Sequence, residues 1–261
     1  MSKQQTKILL LVEGERREKD LMNHLLKVYE IKESHEIVSY KTSIYDLYDR
    51  MFLGDGPEML DLLQVLKEHE KDPAVKVIFD DHYSDVILIF DLDPQAPLFS
   101  KEKIIRMAEY FNESTENGKL YINFPMVEAF YHMKSIPDPA YEAYMVSIDE
   151  LKDGNYKDRV KKTCRIPYRK FAETRELCDI VINQNLSKAL MITKEEKNST
   201  SISMTDLLNQ QITMLVEKEA FYVLCTCIFY ILDFNPNLVS VRLSTISKKD
   251  RFGGIWQAVD H

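Results

Sequence analysis

The chain has 261 residues, 45% of them hydrophobic and 29% charged, with 34 basic side chains against 42 acidic ones. These proportions describe a globular protein with a sizeable core and exclude disordered or low-complexity material. The net charge of −8 excludes a uniformly basic nucleic-acid coat but is compatible with a local basic groove.

Taken in chain order, the first half alternates strand and helix signals. The continuous apolar run over 8–12 predicts a strand covered on both faces, and it breaks at Glu13-Gly14. Leu21, Met22, Leu25, Leu26 and Tyr29 then recur at helical spacing, and 36–41 reads as a short second strand. A helix is expected over 57–69, with Asp55 or Gly56 as its cap and Pro57 in its first turn. The run 85–90 is the second strong buried-strand signal and ends in Asp91-Leu92-Asp93-Pro94. Ser100 is placed to cap a further helix, and 120–122 reads as another strand after Gly118. This alternation predicts an open α/β domain over 1–135, with a mostly parallel sheet flanked by helices.

The remainder, 136–261, reads as a mainly helical C-terminal region, with the boundary marked by Pro137 and Pro139. Helical segments are expected over 126–133, 155–168, 171–184 and 205–232, and a short strand over 239–243, ahead of Gly253-Gly254 and the single Trp256. The apolar run 220–232 falls short of the roughly 20 residues of a membrane helix and predicts a buried helix. On such a helix Cys225 and Cys227 face different sides and share no metal. Four cysteines without a CxxC pair encode neither a disulfide scaffold nor a zinc ribbon and fit a reducing cytoplasm. The apolar stretch 8–12 is too short for a signal-peptide core, so a cytoplasmic protein without membrane association is expected.

The chemistry is expected where the two strong strands end. Ligand sites of open α/β sheets gather at the C-terminal strand edges, and here those edges carry Glu13, Asp91 and Asp93. In extended backbone Asp91 and Asp93 project to one side, so neighbouring strands would bring three carboxylates to one point. Such a set requires a cation, and hard oxygen donors suit Mg²⁺ or Mn²⁺. That ion can polarise a phosphodiester and activate a water. Glu15 and Glu18 read as carboxylates balancing the helix dipole, and the histidines as structural.

At these residues the sequence resembles the Toprim domain, through Leu11-Val12-Glu13-Gly14 with Glu18 and through Phe90-Asp91-Leu92-Asp93. The resemblance implies a Toprim, Rossmann-like fold over residues 7–133. It also implies a general acid/base or metal-ligand role for Glu13, and magnesium coordination by Asp91 and Asp93. Asn123-Phe124-Pro125-Met126-Val127-Glu128 is similar to the Asn-Pro-x-x-Glu segment of RloB-like and OLD-family nucleases. That similarity implies Glu128 as a ligand for a second metal, although Phe124 is an extra residue within the pattern and Arg17 replaces its usual Thr.

A basic, aromatic-interleaved stretch follows. Lys157, Arg159, Lys161, Lys162, Arg165, Arg169, Lys170 and Arg175 stand against only Asp158 and Glu173, and Tyr156, Tyr168 and Phe171 lie among them. These basic groups are expected to contact phosphates and the aromatics to stack on unpaired bases. Arg242, Lys248, Lys249 and Arg251 would extend the surface. The leading expectation is a Mg²⁺-dependent Toprim nuclease acting on DNA or RNA as an effector of antiphage defence. The alternatives are a Toprim ribonuclease that matures RNA, and a partner-regulated subunit of a complex with an AAA or ABC-type ATPase. The chain has no GxxxxGK[ST] loop of its own. In the last case the helix over 205–232 would be an oligomer or partner face.

Overall fold

The computed structural model describes residues 7–54, 56–195 and 201–240. The expectations for Asp55, for most of the 239–243 strand, for the 242–251 basic cluster and for Trp256 lie outside the described residues.

The run over 8–12 is buried along its whole length because it forms a central strand. Strand β1 (Lys7–Val12) pairs in parallel with β2 (Ser34–Ser39) on one side and β3 (Asp85–Asp91) on the other. Strand β3 in turn pairs in parallel with β5 (Gly118–Asn123), so both strong apolar strands are interior. The two-residue strand β4 (Asn112–Glu113) closes the far edge antiparallel, giving the order β2-β1-β3-β5-β4. At Gly118 φ is +111°, and a Cβ there would meet Leu88 Cδ1 at 2.8 Å, so this strand start requires glycine.

Helices flank the sheet. Helix α1 (Arg17–Val28) buries Leu21, Met22 and Leu25, as its spacing predicts. Helix α2 (Ile44–Phe52), absent from the sequence expectations, buries Ile44, Leu47, Tyr48 and Met51. The helix expected over 57–69 is interrupted. Pro57–Met59 makes one 3-10 turn, and Asp61 then caps a separate helix, α3 (Leu62–His69), by accepting from the Gln64 N–H at 2.9 Å. Short α4 (Pro73–Lys76) leads to β3, and α5 (Lys101–Tyr110) begins at the Ser100 cap as expected.

Beyond β5 the chain is less helical than its composition suggests. Only a 3-10 turn, Val127–Tyr131, forms within 126–133. A small strand β6 (Met145–Ser147), helix α6 (Ile148–Lys152) and helix α7 (Tyr156–Thr163) follow, then the long α8 (Arg175–Thr193). The helix expected over 205–232 stops early. Helix α9 (Met204–Lys218) ends at Glu219, whose φ of +51° is left-handed, and Ala220–Tyr222 becomes strand β7, antiparallel to β6. The aromatic and β-branched run 221–223 favours extended backbone. Helix α10 (Tyr230–Phe234) completes the described chain apart from a final 3-10 turn.

The stretch 220–232 is therefore core, as expected, but not one helix: it divides into β7, a 3-10 turn over Cys227–Phe229 and the start of α10. Cys225 and Cys227 do not diverge as they would on a helix, because their Sγ atoms lie 3.5 Å apart in the interior. Buried residues of both halves form one contiguous cluster, and Phe124 and Leu224 exchange backbone hydrogen bonds of 2.8 Å. Among the described residues no helix is long and apolar enough to cross a membrane.

The short β6–β7 pair depends on Gln211, fully buried on α9. Its Oε1 accepts from the Tyr222 N–H at 3.0 Å, and its Nε2 donates to the Tyr222 carbonyl at 2.9 Å. The side chain thus takes the place of a neighbouring strand. Gln211→Leu keeps the volume but leaves both groups unpaired, and should cost about 2 kcal/mol. Urea unfolding checks this, since an unchanged midpoint would mean that water satisfies β7.

Candidate active site

Four elements deliver carboxyl groups to the C-terminal edge of the sheet. Because β1 and β3 are neighbours, Glu13 follows Val12 directly beside the end of β3, and its Oε2 accepts the Asp91 N–H at 3.0 Å. Asp91 is held from its other side. Its Oδ1 accepts from Asn123 Nδ2 at 3.2 Å, at the matching register of β5, and from the Val127 N–H at 3.0 Å. Among the described residues no donor reaches its Oδ2.

Strand β3 ends at Asp91, Leu92 is buried between the partly exposed Asp91 and Asp93, and the chain turns at Asp93, whose φ of +41° is left-handed. Tyr45 on α2 anchors that turn by donating to the Leu92 carbonyl at 2.7 Å, and Gln95 Nε2 donates to Asp93 Oδ1 at 3.1 Å. Glu128 comes from the 3-10 turn after β5 and is 4% exposed.

Glu18 is the member the sequence reading set aside. It stands in the first turn of α1, as expected of a carboxylate balancing the dipole, but it is 6% exposed and folded back against the β1–α1 turn. A Cβ on Gly14 would lie 2.4 Å from Glu18 Oε2, so the glycine makes room for this carboxyl. The Glu-Gly-x-x-x-Glu spacing carried that signal.

Electrostatics bind the five groups together. Burial, then the proximity of Asp93 and Glu18, pushes the Glu13 carboxyl up to about 8, against the stabilising Asp91 N–H. Asp91 is held well above the usual carboxylate range by burial, then by Glu13, Asp93, Glu18 and Glu128. It keeps some surface open, but protein surrounds the carboxyl closely enough for desolvation to dominate. Asp93 and Glu18 are raised too, first by burial and also by Glu128, while Lys157 lowers both. Among the described residues no three His, Cys, Asp or Glu groups stand as a formed metal site.

The cations beside this centre are Arg17 and Lys157. Arg17 Nε lies 3.8 Å and Lys157 Nζ 3.6 Å from Glu128 Oε1. The rest of the predicted basic stretch divides. Arg159 is committed to structure, its Nη2 donating to the Met145 carbonyl at 2.7 Å and its guanidinium pairing with Glu150. Lys161 pairs with Asp158 at 3.0 Å, and Lys162, Arg165, Arg169 and Lys170 are exposed. Tyr156 and Phe171 are buried and cannot stack on a base; only Tyr168 of the three is partly exposed. His24 and His35 are engaged with the Ala172 carbonyl and the Tyr230 hydroxyl.

The chain matches no protein-family model, and no curated protein or solved structure is significantly similar to it.

A carboxyl raised by the fold keeps its proton longer in the folded than in the unfolded chain. For Glu13 the fold is unpenalised below about pH 4.5, loses stability as pH rises, and bears the full penalty above about pH 8. The melting temperature of metal-free protein should therefore fall across that window, and Glu13→Gln should flatten the slope. An equal slope in the variant would show that Glu13 does not titrate there. Gly14→Ala should fold normally, within about 1 kcal/mol of the parent, because only the mobile end of Glu18 must yield. By expelling that carboxylate it should also flatten part of the slope, measured by the same thermal melts.

Proposed function

We propose that the protein is a Toprim-type, divalent-metal-dependent nuclease that hydrolyses phosphodiester bonds of a nucleic acid. Glu13, Asp91 and Asp93 are its catalytic carboxylates. The observation that carries this reading is the gathering of Glu13, Asp91, Asp93, Glu18 and Glu128 at the C-terminal edge of adjacent parallel strands, where the first four are all held above their ordinary proton affinity. Such a concentration of like charge is costly and serves no packing purpose, and perturbed groups of this kind mark functional sites.

The donor chemistry fits a hard cation: the centre offers carboxylate oxygens without imidazole or thiolate, the set that Mg²⁺ or Mn²⁺ prefers. Glu13, Asp91 and Asp93 would hold one ion, and Glu128 would serve a second. When bound, the metal supplies polarisation of the phosphodiester and a more acidic water. The chain's own groups do the rest. Glu13 Oε2 is tied to the Asp91 N–H, so Oε1 is the atom left to take a proton from the attacking water. Asn123 and Val127 both bond Asp91 Oδ1, fixing that carboxylate with Oδ2 presented to a ligand. Arg17 and Lys157 offer positive charge to the substrate phosphate beside Glu128. An effector role in antiphage defence, with any ATPase supplied by a partner, accords with the RloB-like and OLD-family resemblance.

Glu13→Gln and Asp91→Asn should each lower Mg²⁺- or Mn²⁺-dependent cleavage of nucleic acid by about 100-fold or more. Full activity in either variant, with contaminating nuclease excluded, defeats the assignment. Metal should also raise the melting temperature of the parent more at about pH 8 than at about pH 5, since it binds the ionised carboxylates, and should do so little in Asp91→Asn. Equal metal stabilisation of the two proteins would place the ion elsewhere.

A further inference from the structure

Beside the acidic centre runs a groove of roughly 560 Å³, lined among others by Arg16, Arg17, Asp20, Tyr131, Tyr168 and Arg169. Three guanidinium groups face one carboxylate, and that carboxylate is already engaged, with Arg16 Nε 3.8 Å from Asp20. The groove therefore suits an anion. Its volume is of the scale that holds one or two nucleotides rather than a duplex.

An ordered stack stands in the groove. Tyr131 and Tyr168 lie nearly parallel, 17° apart with centroids at 4.2 Å, and the Arg17 guanidinium carbon sits 4.5 Å over the Tyr168 ring. Tyr131 and the Arg17 guanidinium thus both pack against the Tyr168 ring. The Arg17 side chain is 45% exposed. The same guanidinium lies 3.8 Å from Glu128 Oε1, so the stack adjoins the carboxylate centre. The buried Tyr168 hydroxyl has no hydrogen-bond partner among the described residues.

We propose that this groove binds single-stranded nucleic acid, with an unpaired base stacked on the guanidinium plane of Arg17 and the flanking phosphates taken by Arg16 and Arg169. A planar guanidinium both stacks on a base and carries charge, which a lysine cannot do. The strand's onward path to Glu13 and Asp91 rests on the nuclease reading; its binding in the groove does not.

The test is fluorescence anisotropy in EDTA with short labelled single strands, deoxyribo and ribo, an abasic strand of equal length and a hairpin duplex. The parent should bind base-bearing single strands more tightly than the duplex, and preference for either sugar supports the proposal equally. Arg16→Glu with Arg169→Glu should weaken binding about tenfold or more and reduce the salt slope by about 2. Arg17→Lys should weaken the base-bearing strand at least about fivefold while leaving the abasic strand unchanged. Unchanged binding in the double variant overturns the proposal, as does an equal loss for the two strands in Arg17→Lys or a duplex bound as tightly as a single strand. The two readings fail separately. Strands bound through the groove but never cleaved by the metal-loaded parent leave the groove standing and remove the nuclease. Cleavage lost in Glu13→Gln, with binding unaffected in the groove variants, does the reverse.

Discussion

The hydrogen bond from the Asp91 N–H to Glu13 Oε2 is the constraint on which the rest of the centre depends. It exists because two buried apolar strands pair in parallel and end together, so that the first residue beyond β1 meets the last residue of β3. Parallel strands of this kind require both faces covered. The covering helices are what permit a carboxylate-rich edge, since the same edge on an open sheet would be solvated and its charges cheap. Asn123 extends the constraint one strand further. Its Nδ2 donates to Asp91, while its Oδ1 accepts from the Thr226 and Cys227 backbone N–H groups at 3.2 and 3.3 Å. One buried amide thus joins the acidic edge to the C-terminal segment.

The balance of charge follows from that geometry. Five carboxyl groups are gathered, and the cations nearest them, Arg17 and Lys157, both approach Glu128. Compensation falls on the buried Glu128, while Glu13 and Asp91, with no ion pair of their own among the described residues, are held above the usual carboxylate range. A centre built this way loses its repulsion on protonation, and on the proposed nuclease reading a bound cation would compete with the proton for the same oxygens.

The two interior strands and the carboxylates at their ends were legible in the sequence because a continuous apolar run has few other uses. Glu13 and Asp91 meet as the order of elements implied. What was not legible depended on tertiary context. Helix α2 lacked a cap with a side-chain hydrogen bond and went unrecognised despite its spacing. The run 220–232 looked helical by hydrophobicity alone, since a fully buried segment has no polar face to reveal its period. Strand β7 forms there because β6 and Gln211 are present to pair with it. The burial of Glu18 was hidden for a related reason: a carboxylate in the first turn of a helix has an ordinary explanation, which holds here too, and only the missing Cβ of Gly14 marks this one as turned inward.

Basic composition proved a poor guide to basic surface. Of the seven cations from Lys157 to Lys170, Lys157 reaches the carboxylates, Arg169 lines the groove and Arg159 is spent inside the fold. The groove draws its remaining charge from Arg16 and Arg17, at the start of α1 and more than a hundred residues earlier in the chain. Position on α1 matters because that helix begins immediately after Glu13, so any residue in its first turn is held close to the carboxylate edge. Arg17 opens α1, and there its guanidinium lies against Tyr168 and Glu128 together. A short side chain could span neither distance. The length of Arg17 is therefore what joins the groove to the acidic centre in this chain.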